Sequence, residues 1–187
     1  MSTQSVPSAF SLGLKRGVIE IKQFSRQKES VVFTLLFPLI LLAIFGSVFD
    51  NKLAPGVTFS QYFVAGMIAS ALVNTGFQQL AIYIPIERDL GALKRLRGTP
   101  MPAASYFIGK VILVTVSMAL QVLLLLAMGV AFYGVELPAN AHKWALFISY
   151  IILGSVVSTI LGVAFSSVPK DARGASAIVS PVVIILQ

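Results

Sequence analysis

The chain has 187 residues, 57% hydrophobic and only 11% charged, with a net charge of +7 and no cysteine. A soluble domain carries about 25% charged residues, so a water-soluble globule is excluded, and the missing cysteine excludes a disulfide framework or a thiolate metal site. The positive residues flank apolar runs, which reads as membrane topology and anionic headgroups, with no nucleic acid as partner.

The chain opens with a polar and amphipathic stretch over residues 1–30. In SAFSLGLKRGVIEIKQFSRQKES, Phe10, Leu14, Val18, Ile21 and Phe24 recur at three- or four-residue spacing. Lys15, Glu20, Lys22 and Arg26 fall mostly elsewhere on the helical wheel. The pattern predicts an amphipathic helix lying in the inner headgroup layer; the alternative is a helix that packs on another subunit. No A-x-A site follows the first apolar run, so that run reads as a span and no cleaved signal peptide is expected.

Four apolar segments follow: Val31–Phe49, Ser60–Ile84, Phe107–Tyr133 with Lys110 near one end, and Trp144–Val168. Each is long enough to cross a bilayer core, which takes about 20 residues. A fifth begins near Ala175 and stops at Gln187. A half-crossing would strand unpaired carbonyls in hydrocarbon, so the natural protein is expected to be longer, with this sequence ending inside span five. The expected architecture is all-α, a polytopic helical membrane protein with its membrane domain over residues 31–187.

Lysine and arginine set the expected orientation. Twelve fall at the N-terminus, in Ile86–Ser105, at Lys110 and in Pro169–Gly174, whereas only Lys52 and Lys143 lie in the opposite loops. The positive-inside rule then places the N-terminus in the cytoplasm. The outside loops, DNKLAPGVTF and GVELPANAHK, are too short to fold as domains. Phe49, Phe59, Tyr62, Phe132, Tyr133 and Trp144 fall where the outer aromatic belt belongs, and Tyr83, Tyr106 and Phe107 where the inner one does.

Between spans two and three, IERDLGALKRLRGTPMP gathers six charged residues. It predicts a separate short helix. Pro85 suits its first turn, and Glu87 and Asp89 suit the end that favours anions. Lys94, Arg95 and Arg97 suit the last turn, with Gly98 as a left-handed terminator and Pro100 preventing resumption. Leu90, Leu93 and Leu96 form one apolar strip, which either docks into a partner or meets lipid.

Several chemistries are not supported. Gly109-Lys110 is followed by Val111, so no phosphate-binding G-x-x-x-x-G-K-[ST] loop exists there. The spans carry no acidic, basic or histidine residue at depth, which argues against an ion-coupled transporter and an intramembrane enzyme. No catalytic, metal or cofactor residue is expected. His142, beside Trp144, reads as a headgroup-facing residue. Gly154, Ser158, Gly162 and Ser166 in span four read as a close helix contact. Gly66, Ser70, Asn74 and Gln78 form a similar row in span two, but Asn74, Gln78 and Gln79 are large for a contact row, which leaves cavity lining open.

The stretch ERDLGALKRLRGTPMPAASYFIGK resembles the signature of the ABC-2 type (type-2 ABC exporter) transporter permease family. There the segment runs E-R-x-x-G-T-L-x-R-L-x-x-T-P, and a G-K pair opens span three. Glu87, Arg88, Gly91, Leu93, Arg95, Leu96, Thr99, Pro100, Gly109 and Lys110 match it, and Ala92 departs from the usual Thr. The resemblance implies six spans and a cytoplasmic coupling helix at residues 85–98. It implies contact with a separate ATPase subunit through Glu87, Arg88, Gly91, Leu93, Arg95 and Leu96, with Pro169–Gly174 as a second contact and Lys110 snorkelling to the inner interface. It also implies a cavity between two permease copies or paralogues, for which Asn74, Phe77 and Gln78 are the candidate lining.

The expected function is that of the membrane-spanning, non-enzymatic permease subunit of an ATP-driven exporter in the plasma membrane, with ATP and Mg bound by the partner subunit. Its cargo would be amphipathic: a drug, a lipid or an antibiotic-like compound. The alternatives are an energy-independent channel or scramblase, a non-transporting assembly protein, and a polysaccharide exporter, for which no aromatic stripe is present to stack sugars.

Overall fold

The computed structural model describes residues 8–49, 52–54, 57–99, 101–169 and 171–186. Pro100 and Lys170, read above as a helix stop and as one of the basic residues, lie outside them. Helix α1 covers Ala9–Arg26 and α2 Lys28–Val48. A two-stranded antiparallel ribbon follows, β1 Lys52–Ala54 and β2 Val57–Thr58, with Lys52 opposite Thr58. Helix α3, Phe59–Ala71, passes through a seven-residue π-helical segment, Leu72–Gln78, into α4, Gln79–Asp89. The remaining helices are α5 Ala92–Arg97, α6 Ala103–Tyr133, α7 Ala141–Phe165 and α8 Ala172–Leu186.

Four helical stretches are long and apolar enough to cross a membrane: α2, the continuous Phe59–Asp89 rod, α6 and α7. They correspond to the four runs expected, and the fold is the all-α polytopic class, with the small ribbon as its only strands among the described residues. Local chemistry sets several ends. The Ser8 and Thr58 hydroxyls accept from the backbone N–H groups of Ser11 and Gln61 and cap α1 and α3. Gly134, at φ +60°, ends α6 in the left-handed region that glycine adopts without strain.

Spans one to three share a core of Leu42, Val64, Ile68, Ala71, Leu80, Ile84, Val114, Met118, Val122 and Leu125. A second cluster, Phe77, Ala81, Val179 and Val183 with Phe165 against it, holds α8 to the second span and α7.

Three local findings bear on these expectations; the first accords with the amphipathic helix, and the other two are corrections. The first concerns α1. In its apolar stripe Phe10, Leu14 and Val18 are exposed, Phe10 at 64% and Val18 at 65%, whereas Ile21 and Phe24 are half-buried. The buried face is Gly13, Gly17 and Glu20, laid along α6. A Cβ at Gly13 or Gly17 would fall 2.6 and 2.8 Å from the Ile108 and Ile112 side chains, so the glycines set the closeness of the two helices. The exposed residues of the stripe accord with the amphipathic helix expected from the sequence.

The second finding corrects the start of the charged helix. Pro85 does not open it; Pro85 is buried inside α4, which runs on to Asp89. The break falls at Gly91, whose φ of +72° terminates α4, and only Ala92–Arg97 form the short helix; Gly98, expected to be left-handed, has φ −77°. Glu87 and Asp89 therefore sit at the end of span two, not in the first turn of α5.

The third concerns the row in span two. Gly66 and Ser70 line one surface depression with Tyr62 and Met67. Asn74 and Gln78 line a different one, because the π turn intervenes. The span-four row does act as a contact: α7 lies against the π segment, where a Cβ at Gly162 would meet the Gly76 and Phe77 carbonyl oxygens at 2.7 and 2.8 Å. At Gly154 the obstacle is the far end of the Leu72 side chain. Gly162→Ala is therefore expected to cost about 1–3 kcal/mol, and Gly154→Ala distinctly less. Melting curves of the two purified variants test this; equal losses would contradict it.

Candidate functional site

The site grows from the last turn of span two. Glu87, Arg88 and Asp89 are consecutive, so their side chains leave the helix about 100° apart, and each reaches a different element. Glu87 accepts from the Tyr106 hydroxyl at 2.8 Å and from Lys110 Nζ at 2.6 Å, both on α6. Arg88 Nη2 donates to the Pro169 carbonyl at 2.6 Å, in the turn after α7. Asp89 Oδ2 accepts from the Ala172 backbone N–H at 2.6 Å and so caps α8. One turn of helix ties the basic ends of α6, α7 and α8 to span two.

The Asp89 tie is testable by itself. Asp89→Ala is expected to weaken α8 by about 1 kcal/mol, read as roughly fivefold faster hydrogen exchange at amides 172–175 with α2 unchanged. Unchanged exchange at 172–175 would remove the cap from the account.

Around Glu87 lies a buried charge cluster. Lys110 Nζ donates to Glu20 Oε2 at 2.9 Å as well as to Glu87, and the Arg16 guanidinium lies 2.6 Å from the other Glu20 oxygen. Lys110 is 2% exposed and Glu20 3%. The four charges cancel, which is the condition for holding them in a low-dielectric region. Arg16 and Lys110 also stand over the Tyr106 ring, 5.9 and 5.3 Å from its centroid. The expectation that Lys110 snorkels to the interface is corrected. It is enclosed, because two carboxylates from α1 and α4 satisfy its ammonium where water would otherwise be needed. Glu20 and Tyr106 are absent from the sequence-based site. The usable signal is a lone acid in a basic helix, and a lone lysine at the mouth of a span.

The other sequence-predicted residues divide in two. Gly91 forms the break. Leu93 and Leu96 are half-buried and turn toward the body, lining a hollow of about 320 Å³ with Ile84, Tyr106, Phe107 and Val163. Arg95 is exposed and donates to the Leu90 carbonyl at 3.0 Å, bracing α5 against the end of α4. Leu90 is 68% exposed and Lys94 is exposed beside it.

Of the proposed cavity residues, Asn74 and Gln78 line a cleft of about 380 Å³ between spans one, two and three. Phe77 does not: it is buried against Phe165, 5.3 Å between ring centroids, beside Ala81, Val179 and Val183. The cleft lies within one chain, whereas the resemblance implied a cavity between two.

Searches of curated proteins and of solved structures found no match for this chain. A family model described as ABC-2 type transporter matches residues 15–187. The match takes in α1 from Lys15, all four spans, the charged segment and α8. With its multi-pass helical fold, the chain belongs to the ABC-2 type transporter family, as an ABC transporter permease.

Proposed function

We propose that this chain is the membrane-spanning subunit of an ATP-driven exporter for an amphipathic compound, coupled through its basic end to a separate ATPase and paired with a second permease copy. One observation carries the reading. A short helix with exposed cations, Lys94 and Arg95, and with the exposed Leu90 just ahead of it, stands at the point where span two is tied to three other helices. A push on α5 is passed through Gly91 to Glu87, Arg88 and Asp89, and from there to α6, α7 and α8. This division of labour differs from the family-based one: Leu90, Lys94 and Arg95 face the ATPase, Leu93 and Leu96 seat the helix, and Glu87 and Arg88 transmit the displacement inside the chain.

The reading has the basic end in the cytoplasm of a plasma-membrane protein. ATP and Mg are used by the partner, as permeases of this family generally pair with an ABC ATPase. The test is reconstitution. Tagged protein should co-purify with a nucleotide-binding subunit, and cargo should cross vesicles only when that subunit and ATP are present. Transport by the permease alone would establish the channel or scramblase reading instead.

A further inference from the structure

We infer that the cleft between spans one, two and three is a binding site for the headgroup of an uncharged, hydrogen-bonding amphiphile. Three observations converge on it. First, the side-chain amides of Asn74, Gln78 and Gln79 open into the cleft, and among the described residues none of the three makes a hydrogen bond. Each amide offers two N–H groups and one acceptor oxygen, and hydrocarbon satisfies none of them. Three unmet amides on one wall at the level of a span call for a polar occupant.

Second, the backbone there is opened as well. The π segment Leu72–Gln78 replaces the regular ladder, with Gln79 N–H bonded to the Asn74 carbonyl. Such segments recur at functional sites. Across the cleft, Pro38 in α2 has no N–H to offer the Thr34 carbonyl, and both residues line the same space.

Third, the walls fix the chemistry of the ligand. Every polar side chain lining the cleft is uncharged, and its apolar side is the stacked Phe33–Phe37 pair, 5.1 Å between centroids. A charged headgroup would enter a low-dielectric space with no counter-ion. Glu20, Glu87 and Lys110, in the neighbouring hollow that Gln79 and Tyr83 also line, are engaged with one another. Hydroxyl, ester or amide heads are matched by the amides, and an acyl or aromatic tail by the phenylalanines. The inference names a cargo class for the exporter proposed above and rests on that reading for its place in transport; the binding step itself requires no ATPase.

The test uses intact protein in nanodiscs, without ATPase, and two photoactivatable probes with identical acyl chains: a diacylglycerol, which is uncharged, and a phosphatidic acid, which is anionic. Adducts are mapped by peptide mass spectrometry. The diacylglycerol is expected to mark residues 30–38 and 74–83 about tenfold more than the phosphatidic acid, and Gln78→Leu with Gln79→Leu to lower that marking about tenfold. Ser70→Leu, in the separate depression, is expected to leave the marking unchanged. Equal marking by both probes, no adduct in these segments, or full marking of the double variant would overturn the inference. So would a disulfide between two copies of Asn74→Cys, which would make the amides an interface between chains. Retained marking together with absent ATP-dependent transport would count against the exporter reading and leave the binding site standing.

Discussion

Lys110→Met is expected to destabilise the folded protein by about 3–5 kcal/mol, the usual consequence of removing one partner from a buried ion pair. The cause is what remains. Glu20 keeps Arg16, but Glu87 keeps only the Tyr106 hydroxyl, and an excess negative charge is left between α1, α4 and α6. The damage should appear as loss of monodisperse protein in detergent and a large fall in melting temperature. Adding Glu87→Gln should recover at least half of the loss. The double variant removes one charge of each sign, Arg16 still neutralises Glu20, and the amide oxygen introduced at position 87 can still accept from Tyr106. A single variant as stable as the parent, or a double variant worse than the single, would show that the cluster is not held as an ion network.

The second large effect belongs to the surface made by Leu90, at the end of α4, and the outer face of α5. Leu90→Glu with Lys94→Glu is expected to cut capture of the ATPase subunit at least 30-fold, equivalent to about 2 kcal/mol, the size expected when an anchor of an interface is lost. The melting temperature should not move, since both side chains are exposed and neither makes a hydrogen bond among the described residues. Glu87→Ala should behave in the opposite way, lowering stability first. If Glu87→Ala abolished capture in a protein of unchanged stability while the α5 pair had no effect, the roles assigned to the two sets of residues would be exchanged.

Sequence reasoning locates the elements well where the signal is additive. Span limits, the N-terminal helix and the fourth-span contact row rest on apolar runs and small residues, which act over many positions. It fails where one residue decides. Pro85 reads as a helix start because proline is favoured there, yet α4 holds it in its interior, where buried packing offsets a missing hydrogen bond. Gly91, a matched motif position with no conformational role assigned, makes the break because it alone among the described residues of the segment takes a positive φ. The π turn is not legible in LVNTGFQ. Its register answers to α7, which approaches so closely that a Cβ at Gly76 would collide with Ser158.

The site is legible in composition but not in pairing. Glu87, Arg88 and Lys110 stand out, but which charge meets which depends on α1 lying along α6, a contact made by Gly13 and Gly17. The G-x-x-x-G spacing of those two residues is visible in the sequence, but spacing alone does not say which helix it meets. The same holds for the cleft. Asn74 and Gln78 stand out by being too large and polar for a contact row, while Phe77, between them in sequence, turns the other way.

The central claim, that α5 and the Leu90 junction before it form the surface through which a nucleotide-hydrolysing partner moves this membrane domain, is tested most directly with Leu90→Cys in a sequence that has no cysteine. In intact cells the new thiol should be silent to a membrane-impermeant maleimide and should cross-link to the nucleotide-binding subunit through a short bifunctional reagent. Labelling of Leu90→Cys from outside the cell, with no such cross-link, would contradict the account.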